Sequence, residues 1–346
     1  MGVRRVSWEL RFSESRIEMD APTHPLLKIE NLSVVYVSAA GPVRAVRDFS
    51  LEVECGEAVA LVGETGSGKS TVALALLNLL GSTGRAETGD IRFAGRLLSS
   101  GDPRSWRVVR GKEIGMVFQD ARGALNPVLT IGTQLSQALH AHQRLGRKEA
   151  RAAAAAWLAA AGIPQPRFYM RRYPMELSGG MCQRAALAIA VCNQPRLLLA
   201  DEPTSALDPS IQAQILDLLQ SMKDRYGLAV ILISHDLAMV SQFAERVAVM
   251  YHGRLVEFGR SEDVFRNPAH PYTVSLMECQ AGMHYSWDSR PLAAIAGLPP
   301  AAGEEMPGCS FAPRCHRSDS DCLLQTPKAV TLSDGHWAAC SKLTPG

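Results

Sequence analysis

Gly63-Glu-Thr-Gly-Ser-Gly-Lys-Ser70 follows the pattern of glycine, four residues, then Gly-Lys-Ser, and the runs on either side decide its meaning. Ala58–Val62 before it is apolar and strand-like; Thr71–Leu80 after it is helix-like. A glycine-rich turn between strand and helix cradles phosphate. Gly63, Gly66 and Gly68 let backbone N–H groups turn inward, with Glu64, Ser67 and Thr71 completing the wall, and the helix N-terminus adds its positive dipole end. Lys69 is placed to reach the outer phosphates, and the Ser70 hydroxyl to ligate magnesium. The bland alternative, an ordinary glycine-rich turn, does not explain the strand before and the helix after. ATP with Mg2+ is the expected ligand, and the expected fold class is α/β.

Downstream, Leu197-Leu-Leu-Ala200 is opened by Pro195 and closed by Asp201-Glu202. That is the pattern of a buried parallel strand carrying acids to its C-terminal end, where open α/β sheets bind ligands. Asp201 is then placed to hold magnesium through water and Glu202 to polarise the attacking water. An isolated Asp-Glu pair reads as a solvated loop; the strand behind it and the cradle upstream favour the functional reading.

Leu177-Ser-Gly-Gly-Met-Cys-Gln-Arg184 precedes the helix-like run Ala185–Val191, so its small residues can present backbone donors to an anion. Here the chain resembles the ATP-binding cassette (ABC) family over roughly residues 26–280. Gln119 in Met-Val-Phe-Gln, Ser205-Ala-Leu-Asp208 past the acids, and His235 in Ile-Ser-His-Asp follow in the family's order. The resemblance implies a P-loop NTPase cassette: a RecA-like core with an antiparallel β subdomain and a helical subdomain. It implies that two cassettes sandwich two ATP molecules head to tail, so that Ser178, Gly179 and Gly180 of one face the phosphate held by Lys69 of the other. It makes Gln119 a sensor of magnesium and attacking water, His235 a γ-phosphate contact, Asp208 part of the nucleotide site, and Tyr36 the adenine-stacking aromatic. Alternation through Leu32–Val37 also suits Tyr36 as a packing residue on a strand face, and a lone His235 would suit a hydrogen-bonded core histidine.

Composition narrows the field further. The chain has 346 residues, 47% of them hydrophobic, as for a globular protein with room for more than one domain. Lys plus Arg number 36 against 34 acids, so no strong field points to a nucleic-acid partner. No run approaches the ~18 apolar residues of a membrane span. Arg and Glu interrupt every apolar run in residues 1–25, which argues against a signal sequence. Residues 1–25 are expected to be a disordered extension, with Met19 as an alternative start. Strands are expected at Ile91–Phe93 and Ile114–Phe118 in the nucleotide-binding domain, 26–280. Its helical subdomain, about 125–185, should contain Ile131–His142 and the alanine-rich Ala150–Ala161, ended by Gly162 and Pro164. Alternation resumes through Ile211–Tyr226, Ala229–Ser234 and Val247–Tyr251. There is one cradle, hence one cassette.

The rest, 281–346, is a cysteine-rich extension. Gln119-Asp120 with Leu125-Asn-Pro127, Asn267-Pro-Ala-His-Pro-Tyr-Thr273 and Met306-Pro-Gly-Cys-Ser-Phe-Ala-Pro-Arg-Cys315 resemble the ATPase subunits of bacterial oligopeptide and dipeptide importers. Cys182 and Ala121 depart from that pattern without removing a catalytic group. Cys309, Cys315, Cys322 and Cys340 are separated by five, six and seventeen residues, too wide for Cys-x-x-Cys zinc pairs. Four thiolates suit a tetrahedral zinc or an iron–sulfur cluster, with His316 and His336 as substitute zinc ligands; unliganded thiols are the third option. The resemblance implies a [4Fe-4S] cluster. It also implies a second, paralogous ATPase subunit, two membrane permease subunits, an extracytoplasmic peptide-binding protein, no nucleic acid, and a peripheral place on the cytoplasmic face of the cell membrane. An importer of nickel or another small solute is the alternative. A soluble cassette protein acting on ribosomes or DNA would carry two cassettes or a coiled-coil insertion, and a non-hydrolysing regulatory module would not keep Glu202, Gln119 and His235.

Overall fold

The computed structural model describes residues 24–39, 41–98, 103–205, 207–282, 294–301 and 303–344. The expected disorder of residues 1–25, and Met19 with it, lies outside these residues apart from His24 and Pro25. Twelve strands form among them: β1 (Leu27–Ser38), β2 (Gly41–Val53), β3 (Ala58–Val62), β4 (Gly84–Phe93), β5 (Arg96–Leu97), β6 (Ile114–Val117), β7 (Leu197–Asp201), β8 (Ala229–Ser234), β9 (Arg246–Tyr251), β10 (Arg254–Arg260), β11 (Ala329–Ser333) and β12 (His336–Ala339). They make two sheets, an antiparallel one in the order β2-β1-β4-β5 and a mixed one in the order β11-β12-β10-β9-β3-β8-β7-β6.

The centre of the larger sheet is parallel, and the reason lies in its residues. β3, β7 and β8 are buried at every position, which continuous aliphatic runs permit and alternating ones do not. Side chains still alternate between faces. Ala58, Ala60, Val62, Leu198, Ala200, Val230 and Leu232 enter one core with the helical region, while Val59, Leu61, Leu197, Leu199, Ile231 and Ile233 enter the other with β1, β4 and the cradle helix. Between β6 and β7 the described chain is helical, with its main helices at Ile131–His142, Arg147–Ala160 and Gly179–Val191. Ile131, Leu135 and Leu139 recur at helical spacing and are buried.

Several boundaries differ from the expected ones, among them β4, which begins at Gly84 instead of Ile91, and two helices whose ends have a visible cause. The alanine-rich helix starts at Arg147 because the Gly146 N–H donates to Glu149 Oε2 at 2.7 Å, capping the helix three residues before its alanine run. The cradle helix spans only Lys69–Ala75. Asn78 takes the left-handed conformation (φ 50°), its N–H donates to Ala75 O, and the Leu79 N–H donates to Leu74 O. This closing motif stops the helix although Leu76, Leu77 and Leu79 would continue its apolar face.

The cysteine-rich region is joined to the cassette. Hairpin β11–β12 pairs with β10 through Glu257↔Ala338 and Phe258↔Trp337. The Glu257 carboxylate, 0% exposed, accepts from the backbone N–H groups of Ala269 and His270 and bonds His336 Nε2, each at 2.9 Å. One buried carboxylate thereby fixes the turn before helix Pro271–Gly282 and the last strand of the extension. No helix among the described residues is long and apolar enough to cross a membrane.

Replacing Glu257 by Ala orphans three buried donors, each worth on the order of 1–3 kcal/mol. Glu257→Ala is expected to lower the denaturant midpoint and to speed amide exchange first in residues 329–339. Exchange that rises uniformly across the chain would show that the carboxylate is not a local tie.

Candidate active site

Four neighbouring strands end at the site. β3, β8, β7 and β6 run parallel and in register, with Val62 beside Ser234, Ile233 beside Asp201, and Ala200 beside Val117. At about 4.8 Å per strand, the residues just past their C-terminal ends share one edge roughly 14 Å long. They are the cradle, His235, Asp201-Glu202 and Gln119.

The cradle needs its glycines. A Cβ on Gly63 (φ 150°) would lie 2.2 Å from Met250 O, and one on Gly68 (φ 104°) 2.4 Å from Ala45 O; both conformations belong to glycine. Lys69 is 5% exposed, and its ammonium donates to Gly63 O at 2.7 Å, Glu64 O at 2.9 Å and Ser67 Oγ at 3.3 Å. Burial lowers its pKa from the ordinary lysine value, while the carboxylates of Glu202, Asp201 and Glu64 act the other way. Ser70 Oγ donates to Asp201 Oδ1 at 3.0 Å. Asp201 is raised by burial, partly opposed by that hydrogen bond. Two of the three residues expected at the magnesium, Ser70 and Asp201, are therefore in contact across 131 residues of sequence, with Gln119 as the third.

Glu202 is held from three sides. Its Oε2 accepts from Gln119 Nε2 at 3.0 Å, its Oε1 lies 3.3 Å from His235 Nδ1, and its N–H donates to Ile233 O at 2.9 Å. Its backbone is left-handed (φ 44°), a conformation costing of order 1–3 kcal/mol in a non-glycine residue and found where surroundings enforce it. The three residues expected to be catalytic thus meet at one carboxylate.

Comparison with known proteins decides the family. The profile described as ABC transporter matches residues 46–205, and that described as oligopeptide/dipeptide transporter, C-terminal region, matches 256–322. A putative peptide import ATP-binding protein of Brucella abortus is 41% identical over 326 residues, covering 91% of this chain and 96% of that one. The chain belongs to the ABC transporter family, in its oligopeptide/dipeptide branch. The oligopeptide transport ATP-binding protein OppD of Mycobacterium tuberculosis is 44% identical over 317 residues, 91% of this chain; the chain spans about half, 52%, of that relative's length. Among solved structures, a dimeric ATP-binding cassette in a post-hydrolysis state with ADP and Pi superposes with a TM-score of 0.61 at 29% identity, covering 68% of this chain and 98% of that one. The P-loop cassette fold expected from the sequence is thereby established.

The remaining expected residues lie around that edge. Tyr36 is half-buried in β1, with its ring against Gly84 and the apolar cluster beneath. Ser178 caps helix Gly179–Val191 by accepting from the Met181 N–H; Ser178 and Gly179 are exposed, and the nearest groups to Gly179 and Gly180 are Leu207 and Ile211. Asp208 is exposed at the start of helix Pro209–Tyr226. Thr71 is half-buried in the cradle helix.

The four cysteines of the expected metal centre share a cavity without forming a metal site among the described residues. Cys309, Cys315, Cys322 and Cys340 line one cavity with His270 and Phe311, and all four are free thiols. Yet among the described residues no three His, Cys, Asp or Glu side chains stand close enough to hold a metal ion. Burial pushes the Cys309 and Cys340 thiols up, and His336, considered as a zinc ligand, is committed to Glu257. Two residues with direct contacts to the cradle escaped the sequence reading. The Glu64 N–H donates to Tyr272 Oη at 2.7 Å, and the Glu64 carboxylate accepts from both terminal nitrogens of Arg314 at 2.7 and 3.1 Å. Both sit inside motifs singled out for other reasons, and a separation of 250 residues leaves no spacing signal.

Because Glu202 carries the acceptor oxygen between Gln119 and His235, Glu202→Gln is expected to retain ATP binding and to lose hydrolysis by roughly 10²–10⁴-fold, the usual worth of general-base assistance. Phosphate release within a few-fold of the parent rate would move the base elsewhere.

Proposed function

We propose that this chain is the ATP-binding and ATP-hydrolysing subunit that energises a peptide importer. In this reading residues 26–280 form the nucleotide-binding domain, with a helical subdomain at about 125–185, and 281–346 form the extension. The observation that carries it is the meeting of Lys69, Ser70, Asp201, Glu202, Gln119 and His235 on one strand edge, in a chain whose residues 256–322 match the oligopeptide/dipeptide transporter region. Transport then requires partners: a second, paralogous cassette, two membrane permeases and an extracytoplasmic peptide-binding protein, with this subunit peripheral on the cytoplasmic face.

Residue by residue, the cradle N–H groups and Lys69 bind the ATP phosphates, and Tyr36 stacks on adenine. Magnesium held by Ser70 and Asp201 would neutralise phosphate charge. Glu202 aligns the attacking water and accepts its proton, while Gln119 and His235 hold Glu202 and the water in line. Ser178 and Gly179, exposed at a helix N-terminus, and Gly180 beside them offer donors to the nucleotide of the partner cassette. Asp208 borders the same nucleotide site. The four cysteines would hold a [4Fe-4S] cluster, and their convergence on one cavity is the observation that supports it. Such a cluster would tie the fold of the extension to metal occupancy.

Two outcomes are expected. In the assembled importer, Ser178→Arg should abolish hydrolysis of the nucleotide held by the partner's cradle while ATP still binds at Lys69; loss of binding at Lys69 would place the signature in cis. Protein purified without oxygen should be brown with about four irons per chain, one cubane cluster, and Cys315→Ser should bleach it. One zinc per chain in a colourless sample would replace the cluster by zinc, and metal-free protein would remove both.

A further inference from the structure

Glu64 is an awkward residue for a polyphosphate site, because its carboxylate stands in the loop that must receive negative charge. Its surroundings answer this. Arg314, 4% exposed at the side chain, places both terminal nitrogens on the two Glu64 oxygens, a fork-on-carboxylate geometry that fixes direction as well as charge. Nothing in the guanidinium is left to swing. Nε donates to Ala296 O at 3.0 Å, Nη1 also to Tyr251 Oη at 3.2 Å, and Nη2 also to Ile295 O at 3.4 Å. Glu64 is equally engaged: its N–H reaches Tyr272, and its carbonyl accepts from Lys69 Nζ and from the Ser67 N–H. A continuous line of contacts runs from Arg314 through Glu64 to the lysine that binds phosphate.

Arg314 belongs to the cysteine-rich extension. It ends a single 3-10 turn, Ala312–Arg314, whose N–H groups bond back to Cys309 O and Phe311 O, and Cys315 follows directly. A second strap of the extension lies nearby, where Arg47 Nη2 and His252 Nε2 bond Glu304 O and Arg44 meets Glu305. Those residues flank Ala45 and Gly253, the backbone against which Gly68 packs.

We propose that Arg314 is a positioning residue for ATP, neutralising Glu64 and holding the cradle open to phosphate, so that the cysteine-rich extension sets the nucleotide affinity of the cassette. The inference rests on the reading of residues 63–70 as the ATP site and adds to it a control point 250 residues away in sequence.

The test is ATP affinity on the full chain by titration calorimetry, with hydrolysis measured in the assembled importer. Arg314→Met is expected to weaken ATP binding about tenfold, the scale of one charge-assisted hydrogen-bonded contact, and to raise KM with kcat within about twofold. Adding Glu64→Gln to Arg314→Met should recover most of the affinity, since it removes the unpaired carboxylate; an extension that merely packs on the cassette predicts no rescue. Should Arg314→Met fail to fold, Arg314→Gln decides, because it keeps a hydrogen-bonding side chain and loses the charge: a several-fold weaker affinity supports the proposal and an unchanged one overturns it. Unchanged affinity in folded Arg314→Met, or loss without rescue, also overturns it. Lys69→Ala separates the two claims: if it still binds ATP normally, the site reading falls and this inference with it.

Discussion

Parallel, in-register pairing of β3, β8, β7 and β6 is the constraint on which the site depends. A slip of one residue would turn each strand's alternate side chains to the wrong face, exchanging the two cores and separating Asp201 from Ser70. Register is held by burial on both faces, since Val59 and Leu61 belong to one core while Ala58, Ala60 and Val62 belong to the other. The small residues face the helical side and the larger ones the antiparallel sheet. Catalytic geometry is therefore a by-product of aliphatic packing several ångströms below it.

The electrostatics at that edge are a balance of one buried ammonium against several carboxylates. Lys69 is desolvated yet surrounded by the charges of Asp201, Glu202 and Glu64, so the local field is less positive than a phosphate site built on lysine alone. Arg314 removes one of those negative charges from the account, and Ser70 satisfies Asp201. What is left for the nucleotide is the set of backbone N–H groups whose direction the glycines permit.

Much of this was legible in the sequence because it is local. The cradle, the acid-tipped strand, the signature before its helix and helix 131–142 each declare themselves within a dozen residues. The cradle helix was overestimated because its leucines continue past Asn78, whose left-handed backbone no periodicity reports. Arg314 was hidden differently. It stood in a motif read for its cysteines, and its partner is a cradle residue 250 positions away in sequence. Glu257 is silent in the sequence in the same way, since nothing local tells that a carboxylate will be fully buried among three donors. Long-range charge pairing and the joining of β12 to β10 are properties of the folded chain that hydropathy does not encode.

The hairpin β11–β12 also determines what borders solvent. β11 is a five-residue strand whose alternate residues Ala329, Thr331 and Ser333 are exposed, short and polar enough to resist pairing with a neighbouring molecule. Behind it β10 carries Val256, Phe258 and the ionisable Glu257. Were the extension shed by proteolysis, β10 would become the border, presenting unpaired backbone beside an aromatic ring to every other copy. The product would be prone to self-association, and the cassette's solubility is thereby tied to the same appendage that touches its glycine-rich cradle.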